Sequence, residues 1–208
     1  MLATLTPNTA LDNTASDTVL SLREAILLVN NGGDANAALG RTLTVEDLGQ
    51  IETTEPFGTN DTIDFDATLD GTTITLGGSQ LRITTDVSVT GPGASNLTID
   101  ADGSSRVMLV TSGTVDISGL TLTGGIVGSG GGLRNLAAAT TTLTNVHIEG
   151  NTATSSGTAG GGILNFGNLT ITHSEVTGNS SIGSGGRGGG IVNYGGTLRI
   201  INTTIAGN

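Results

Sequence analysis

Between Gly130 and Asn208 the chain repeats one pattern three times. A run of three glycines (Gly130–Gly132, Gly160–Gly162, Gly188–Gly190) is followed by two apolar-led residues and an asparagine: Leu133 to Asn135, Ile163 to Asn165, Ile191 to Asn193. An alternating apolar segment comes next, beginning at Leu143, Leu169 and Leu198, and closes on Gly-Asn at Asn151, Asn179 and Asn208. Equivalent residues lie 28–30 positions apart. A period in this range, with strand-like alternation inside it, is the mark of a solenoid, because each unit buries its apolar side only by stacking on the next. Short alternating strands alone would also suit a sandwich of hairpins. Units copied at a fixed spacing instead predict in-register parallel strands, one coil covering the last.

Composition narrows what such a coil contains. Of 208 residues 35 are Gly, three are Phe, one is Tyr and none is Trp, so the core must be thin and built from small and β-branched side chains. All seven basic residues are Arg, against 18 Asp and Glu, for a net charge of −11. That balance speaks against nucleic acid and against an anionic membrane surface, since few groups could neutralise phosphates. Without Cys there are no disulfides, thiol nucleophiles or Cys–metal sites. No apolar run approaches the length of a membrane span, so no membrane insertion is expected. Met1 to Thr4 carries neither a basic nor an apolar leader, and the sequence reads as a mature segment.

Two regions follow, an N-terminal cap over 1–60 and coils over 61–208. The cap opens with a short strand over Leu2 to Thr6. A helix is expected from Ser21 to about Asn30: Ser21 and Glu24 spell a capping box, and Leu22, Ala25, Ile26 and Val29 make one apolar face. Asn30-Asn31-Gly32-Gly33 supplies its stop. Residues 34–60 look irregular, with a helical turn at Thr44 to Leu48. Beyond Asn60, period-two pairs such as Ile63/Phe65, Ile74/Leu76, Leu81/Ile83, Val87/Val89, Leu97/Ile99, Met108/Val110, Val115/Ile117 and Leu120/Leu122 read as short strands between turns. An amphipathic helix laid over the first coil would cover its strand edges. The last coil ends at Asn208 with no such cover. It is expected either to continue into further repeats or to pair with another copy.

Stacking places equivalent residues in columns. Asn135, Asn165 and Asn193 form one structural ladder, Asn151, Asn179 and Asn208 a second, and Asn145, His173 and Asn202 a third at a corner between strands. Leu136, Phe166 and Tyr194 should stack as well. Leu143/Ile171/Ile200 and Ile148/Val176/Ile205 point inward. The stretches 152–159 and 180–187 before the glycine runs form the long turn.

Residues 21–26, Ser-Leu-Arg-Glu-Ala-Ile, resemble the N-terminal motif of bacterial secreted proteins of the CSLREA type. The Gly-Gly-(Ile/Leu)-x-Asn copies at 131–135, 161–165 and 189–193 resemble repeats of polymorphic outer-membrane proteins and the pectin-lyase-like group, and 87–100 is similar to first coils of the same proteins. The resemblance implies an all-β fold, a right-handed single-stranded parallel β-helix with an N-terminal helical cap, in a secreted or cell-surface protein.

Candidate chemistry is sparse. His147 and Glu175 should be outward neighbours on adjacent coils with Glu149 close by, in principle an acid–base pair or a weak metal site, and otherwise a solvated ion pair. Asp64 and Asp66 are placed on one side of a strand, and Asp100 and Asp102 begin a calcium-loop spelling. Either pair could hold Ca²⁺, and the alternative is a solvent face or a turn. No cofactor is otherwise expected. The expected function is therefore a non-catalytic extracellular or cell-surface structural or adhesin-like module, with a glycan or protein surface ligand. Two alternatives stand beside it. One is a carbohydrate-binding or carbohydrate-degrading β-helix, and the other is a filament subunit that self-associates through its C-terminal coil.

Overall fold

The computed structural model describes residues 3–52, 57, 60–157 and 159–208. Leu2, at the start of the first expected strand, lies outside the described residues, as do parts of the expected loop at 53–59 and Thr158 of the long turn expected over 152–159. The described residues form a parallel β-solenoid of about 5 turns, with three short helices among them at its N-terminal end.

One sheet carries two columns of strands. The first column stacks Asp61–Asp64, Val87–Thr90, the second half of Met108–Ser118, the second half of Leu133–Thr144, Asn168–Thr172 and Thr197–Ile201. The other stacks Leu81–Ile83, the first halves of the same two long strands, Ile163–Asn165 and Ile191–Asn193. A second sheet stacks Thr72–Thr75, Leu97–Asp100, Thr121–Thr123, His147–Glu149, Glu175–Thr177 and Thr204–Ala206. A small third sheet stacks Ile126–Val127, Thr152–Ala153 and Ser180–Ser181. All these pairings are parallel. The separate strands expected at Met108/Val110 and Val115/Ile117 are one strand of 11 residues, and Leu133–Thr144 is one of 12. In these middle coils the corner between the columns is a bend within a strand, where Leu133–Thr144 shifts register against Met108–Ser118 between Asn135 and Ala138.

The alternation inside each strand fills the interior. Leu133, Leu143, Ile148, Ile163, Ile171 and Val176 are buried. In the last coil the equivalent Ile200 and Ile205 point the same way but remain 42% and 44% exposed, since nothing stacks on that side of them in the structure. The turn from the first sheet to the second requires a left-handed residue, filled in successive coils by Gly119, Asn145, His173 and Asn202 at φ of 62°, 53°, 50° and 46°. Asn tolerates this region better than most side chains do, which explains its recurrence there. The glycine runs have a steric cause. A Cβ on Gly161 would lie 2.3 Å from the carbonyl oxygens of both Gly189 and Ser180.

Helix α1 (Leu22–Asn30) has the expected capping box, with the Ser21 side chain accepting from Glu24 N–H and Glu24 accepting from Ser21 N–H. Leu22, Ala25, Ile26 and Val29 are buried, together with Leu28. The helix also satisfies the open edge of the first coil. The Asn30 side chain donates to Arg82 O (2.7 Å) and accepts from Thr84 N–H (2.9 Å), as a neighbouring strand would. Arg23 donates to Ser79 O and Gln80 O while paired with Asp12 at 2.7 Å. Two more helices follow, α2 (Ala35–Leu39) and α3 (Val45–Gly49). The second was expected as a turn and the first was not expected.

Arg41 ties α1 to α3. It pairs with the fully buried carboxylates of Glu24 at 2.8 Å and Asp47 at 2.5 Å. Burial alone would push the Asp47 carboxyl up. Hydrogen bonds from Arg41 and Thr44 outweigh that and hold it below the usual range.

Candidate functional site

The most ordered polar chemistry lies inside the coils. Thr141 Oγ1 donates to Asn135 Oδ1 (2.8 Å), Asn135 Nδ2 to Asn165 Oδ1 (2.8 Å), and Asn165 Nδ2 to Asn193 Oδ1 (2.7 Å). The relay ends on Gly196 O, 2.7 Å from Asn193 Nδ2. Asn135 and Asn165 are fully buried. The second ladder runs from Asn151 Nδ2 to Asn179 Oδ1 (3.0 Å) and from Asn179 Nδ2 to Asn208 Oδ1 (2.9 Å), where Asn208 donates on to Val176 O. Each of these amides also serves the backbone. Asn151 Oδ1 accepts from Gly125 N–H, and Asn179 Oδ1 from Asn151 N–H. At the corner, His173 Nε2 lies 3.1 Å from Asn202 Nδ2. Asn145 occupies the same left-handed corner one coil earlier. Chains of buried amides whose members are all partnered specify register and resist local opening.

The outward residues are less organised. His147 and Glu175 are register partners on adjacent strands, and Glu149 lies two residues from His147 along its strand. No hydrogen bond or ion pair joins them among the described residues. Asp64 ends its strand, but Asp66 lies beyond it and caps the short turn Ala67–Leu69, so the two do not share a strand face. The Thr68 hydroxyl and N–H both donate to Asp66 and hold its carboxyl below the ordinary range. Asp100 Oδ1 accepts from Asp102 N–H at 2.8 Å, and Asp102 is left-handed at φ 47°, which makes a local turn. Among the described residues no three His, Asp or Glu side chains converge as ligands for a metal ion, and no helix is long and apolar enough to cross a membrane.

One site was not expected. At the strand bend, Thr111, Arg134, Leu136, Ala137, Ala138 and Phe166 line an open cleft of about 390 Å³. The Arg134 guanidinium lies 5.3 Å over the Phe166 ring. Phe166 meets Tyr194 edge to face at 5.6 Å, and Leu136 lies beside it in the cleft wall, which gives the expected column a shape. Arg134 makes no hydrogen bond or ion pair with a described residue, and its Nε is buried without a partner. Below it, Arg106 is 7% exposed. It donates to Gly130 O and Ser129 O, both at 2.8 Å, and to the Gln80 amide oxygen, but meets no carboxylate. Burial, with the nearby Arg134 charge adding to it, pushes Arg106 down to about 10. The sequence held one signal for this place. Between Asn135 and the next aligned strand position, Thr140, lie two more residues than between Asn165 and Asn168.

No protein-family model matches the chain, and comparisons with curated proteins and with solved structures also find no match.

Proposed function

We propose that the chain is a non-catalytic β-solenoid module of an extracellular or cell-surface protein, adhesin-like in that it holds a stiff shape and presents its lateral faces to a glycan or protein ligand. The observation that carries this is the pair of buried asparagine ladders, which join successive coils by side-chain hydrogen bonds in addition to the strand pairing. Such a stack has nearest-neighbour coupling along one axis, the property a spacer needs. The likeness of residues 21–26 and of the Gly-Gly-(Ile/Leu)-x-Asn copies to CSLREA-type, polymorphic outer-membrane and pectin-lyase-like proteins supports a secreted or surface setting.

Stretching single molecules from their two ends tests the stiffness. The expected record is a series of cooperative ruptures, each releasing one or more coils. Smooth extension at low force, as for a flexible linker, would overturn the proposal. Incubation with a panel of polysaccharides, with and without Ca²⁺, tests the catalytic alternative. Depolymerisation that disappears in a His147→Ala/Glu175→Ala variant would replace this reading with the enzyme.

A further inference from the structure

Arg134 is placed unlike Arg23, Arg41 and Arg106, the other arginines of the cap and first coils that are not exposed. Arg23 has Asp12, Arg41 has Glu24 and Asp47, and Arg106 has two carbonyls and an amide. Arg134 has only the face of Phe166. Its Nε is out of reach of solvent and still unpartnered, so the guanidinium is held in position by packing and not by protein acceptors. A planar cation with unused donors is suited to a planar anion, and a carboxylate matches the guanidinium fork in two-point pairing.

The surroundings add two constraints. The neighbouring charge has the same sign: Arg106 is buried close enough to feel Arg134, and no described carboxylate lies within ion-pair distance of either. A bound anion would offset both charges. The rest of the cleft wall is apolar, made by Leu136, Ala137, Ala138 and the Phe166 ring. Its volume lies within the range of small-molecule sites, about 300–1,000 Å³. The cleft also coincides with the strand irregularity between Asn135 and Ala138. Bulges of this kind re-aim side chains and are over-represented beside binding and active sites.

We propose that this cleft binds a small aromatic monocarboxylate, with the carboxylate paired to Arg134 and the ring lying on the Ala137–Ala138 shelf against Phe166. Thr111, on the neighbouring strand, borders the cleft with its hydroxyl already donated to Ile83 O at 3.2 Å, which leaves Arg134 as the donor to the carboxylate. The site does not depend on the spacer function, and either could fail without the other.

The test uses 3-phenylpropionate as the probe, titrated into the full chain and followed by NMR shifts of the Ala138 methyl and Phe166 ring. Its neutral counterpart 3-phenylpropan-1-ol is expected to bind at least about 10-fold more weakly, the least that a charge-assisted hydrogen bond is worth. Glucuronate, a carboxylate with no apolar body, should also bind more weakly. Arg134→Gln should abolish the preference for acid over alcohol, and Arg82→Gln, two coils removed and outside the cleft, should keep it. Intermolecular contacts should run from the probe ring to Ala138 and Phe166. Equal binding of acid and alcohol by the unaltered chain would overturn the proposal without recourse to any variant. So would contacts elsewhere on the surface, or no detectable binding. Glucuronate binding as tightly as the aromatic acid would replace the apolar half of the proposal with a sugar-acid site.

Discussion

Asn165→Ala removes the centre of the first ladder, and its cost can be worked from the partners it leaves. Asn165 Nδ2 donates to Asn193 Oδ1 (2.7 Å), Gly167 O (3.0 Å) and Thr197 O (3.1 Å), and its Oδ1 accepts from Asn135 (2.8 Å). Asn193 and Thr197 are exposed, so water can replace what they lose. Gly167 O keeps the Thr197 N–H at 3.0 Å, whereas Asn135 is buried, so one of its amide protons is left without a partner. At about 1–3 kcal/mol for the stranded proton and about 1 kcal/mol for the lost hydrogen bond to Gly167 O, the substitution should cost about 2–4 kcal/mol. Asn193→Ala cuts the same ladder one step on. It leaves Asn165 with two of its three acceptors, and should cost about 1 kcal/mol. Urea unfolding followed by far-ultraviolet circular dichroism gives both values from midpoint and slope. A lower slope for Asn165→Ala would mean that coils have uncoupled. Amide exchange across Asn168–Thr172, with Val87–Thr90 as the reference, would then localise the loss. Equal costs for the two variants, within about 0.5 kcal/mol, would refute the claim that burial gives the ladder its strength.

Arg41→Ala leaves two fully buried carboxylates without their cation and should cost about 3–5 kcal/mol, measured by the same unfolding experiment. Its pH signature should also weaken. In the unaltered chain Asp47 is held below its ordinary value, so its contribution is present above about pH 3.9 and is lost as pH falls through the depressed folded value. Without Arg41 only the Thr44 hydrogen bonds oppose burial at Asp47, so the fall in melting temperature as pH is lowered towards 4 should shrink. At the corner column, His173→Asn should leave stability unchanged or slightly higher, while His173→Val, which puts a β-branched side chain at φ 50°, should cost about 1–2 kcal/mol, checked by thermal melts.

The spacing of the three copies made the solenoid and its columns legible, because a repeat of near-constant length brings equal positions together whatever the residues are. The capping box was legible for a different reason. Ser21 and Glu24 act on backbone groups within their own turn, and such local chemistry needs no fold to be recognised. Arg41 shows the limit. Its partners Glu24 and Asp47 stand 17 and 6 residues away across an irregular segment, and nothing local marks them as neighbours. Asp66 was misplaced by extending an alternation one step too far. Ile63 and Phe65 continue the pattern, but Asp66 caps a turn with its own carboxylate, and that competing hydrogen bond ends the strand. The Met108–Ser118 strand was divided because Ser112 and Gly113 read as a turn. In the fold they are strand residues at a bend, with Gly113 left-handed at φ 93° against the Thr85 backbone. The Arg134 cleft was missed since three alanines in a row carry no polar pattern.

The two ladders also explain where this solenoid can change length. Asn135–Asn165 and Asn151–Asn179 pin the register on either side of the bend, and the extra residues of the fourth coil fall between those pins, at Leu136–Ala139. Deleting Ala137 and Ala138 would give this coil the same interval, Asn135 to Thr140, that the next coil has from Asn165 to Asn168. Both deleted residues are exposed, and the Thr141–Asn135 hydrogen bond that starts the ladder lies outside them. The deletion should therefore keep cooperative unfolding and the parallel-strand dichroism, with a stability change under about 2 kcal/mol. It should remove the shelf beside Arg134 and with it any preference for an aromatic acid over its alcohol. Loss of folding would mean that the bend, and not the asparagines, sets the register. Retention of the preference would mean that Arg134 and Phe166 alone make the site. A folded chain without the preference would place the fold in the ladders and the recognition in the two inserted residues.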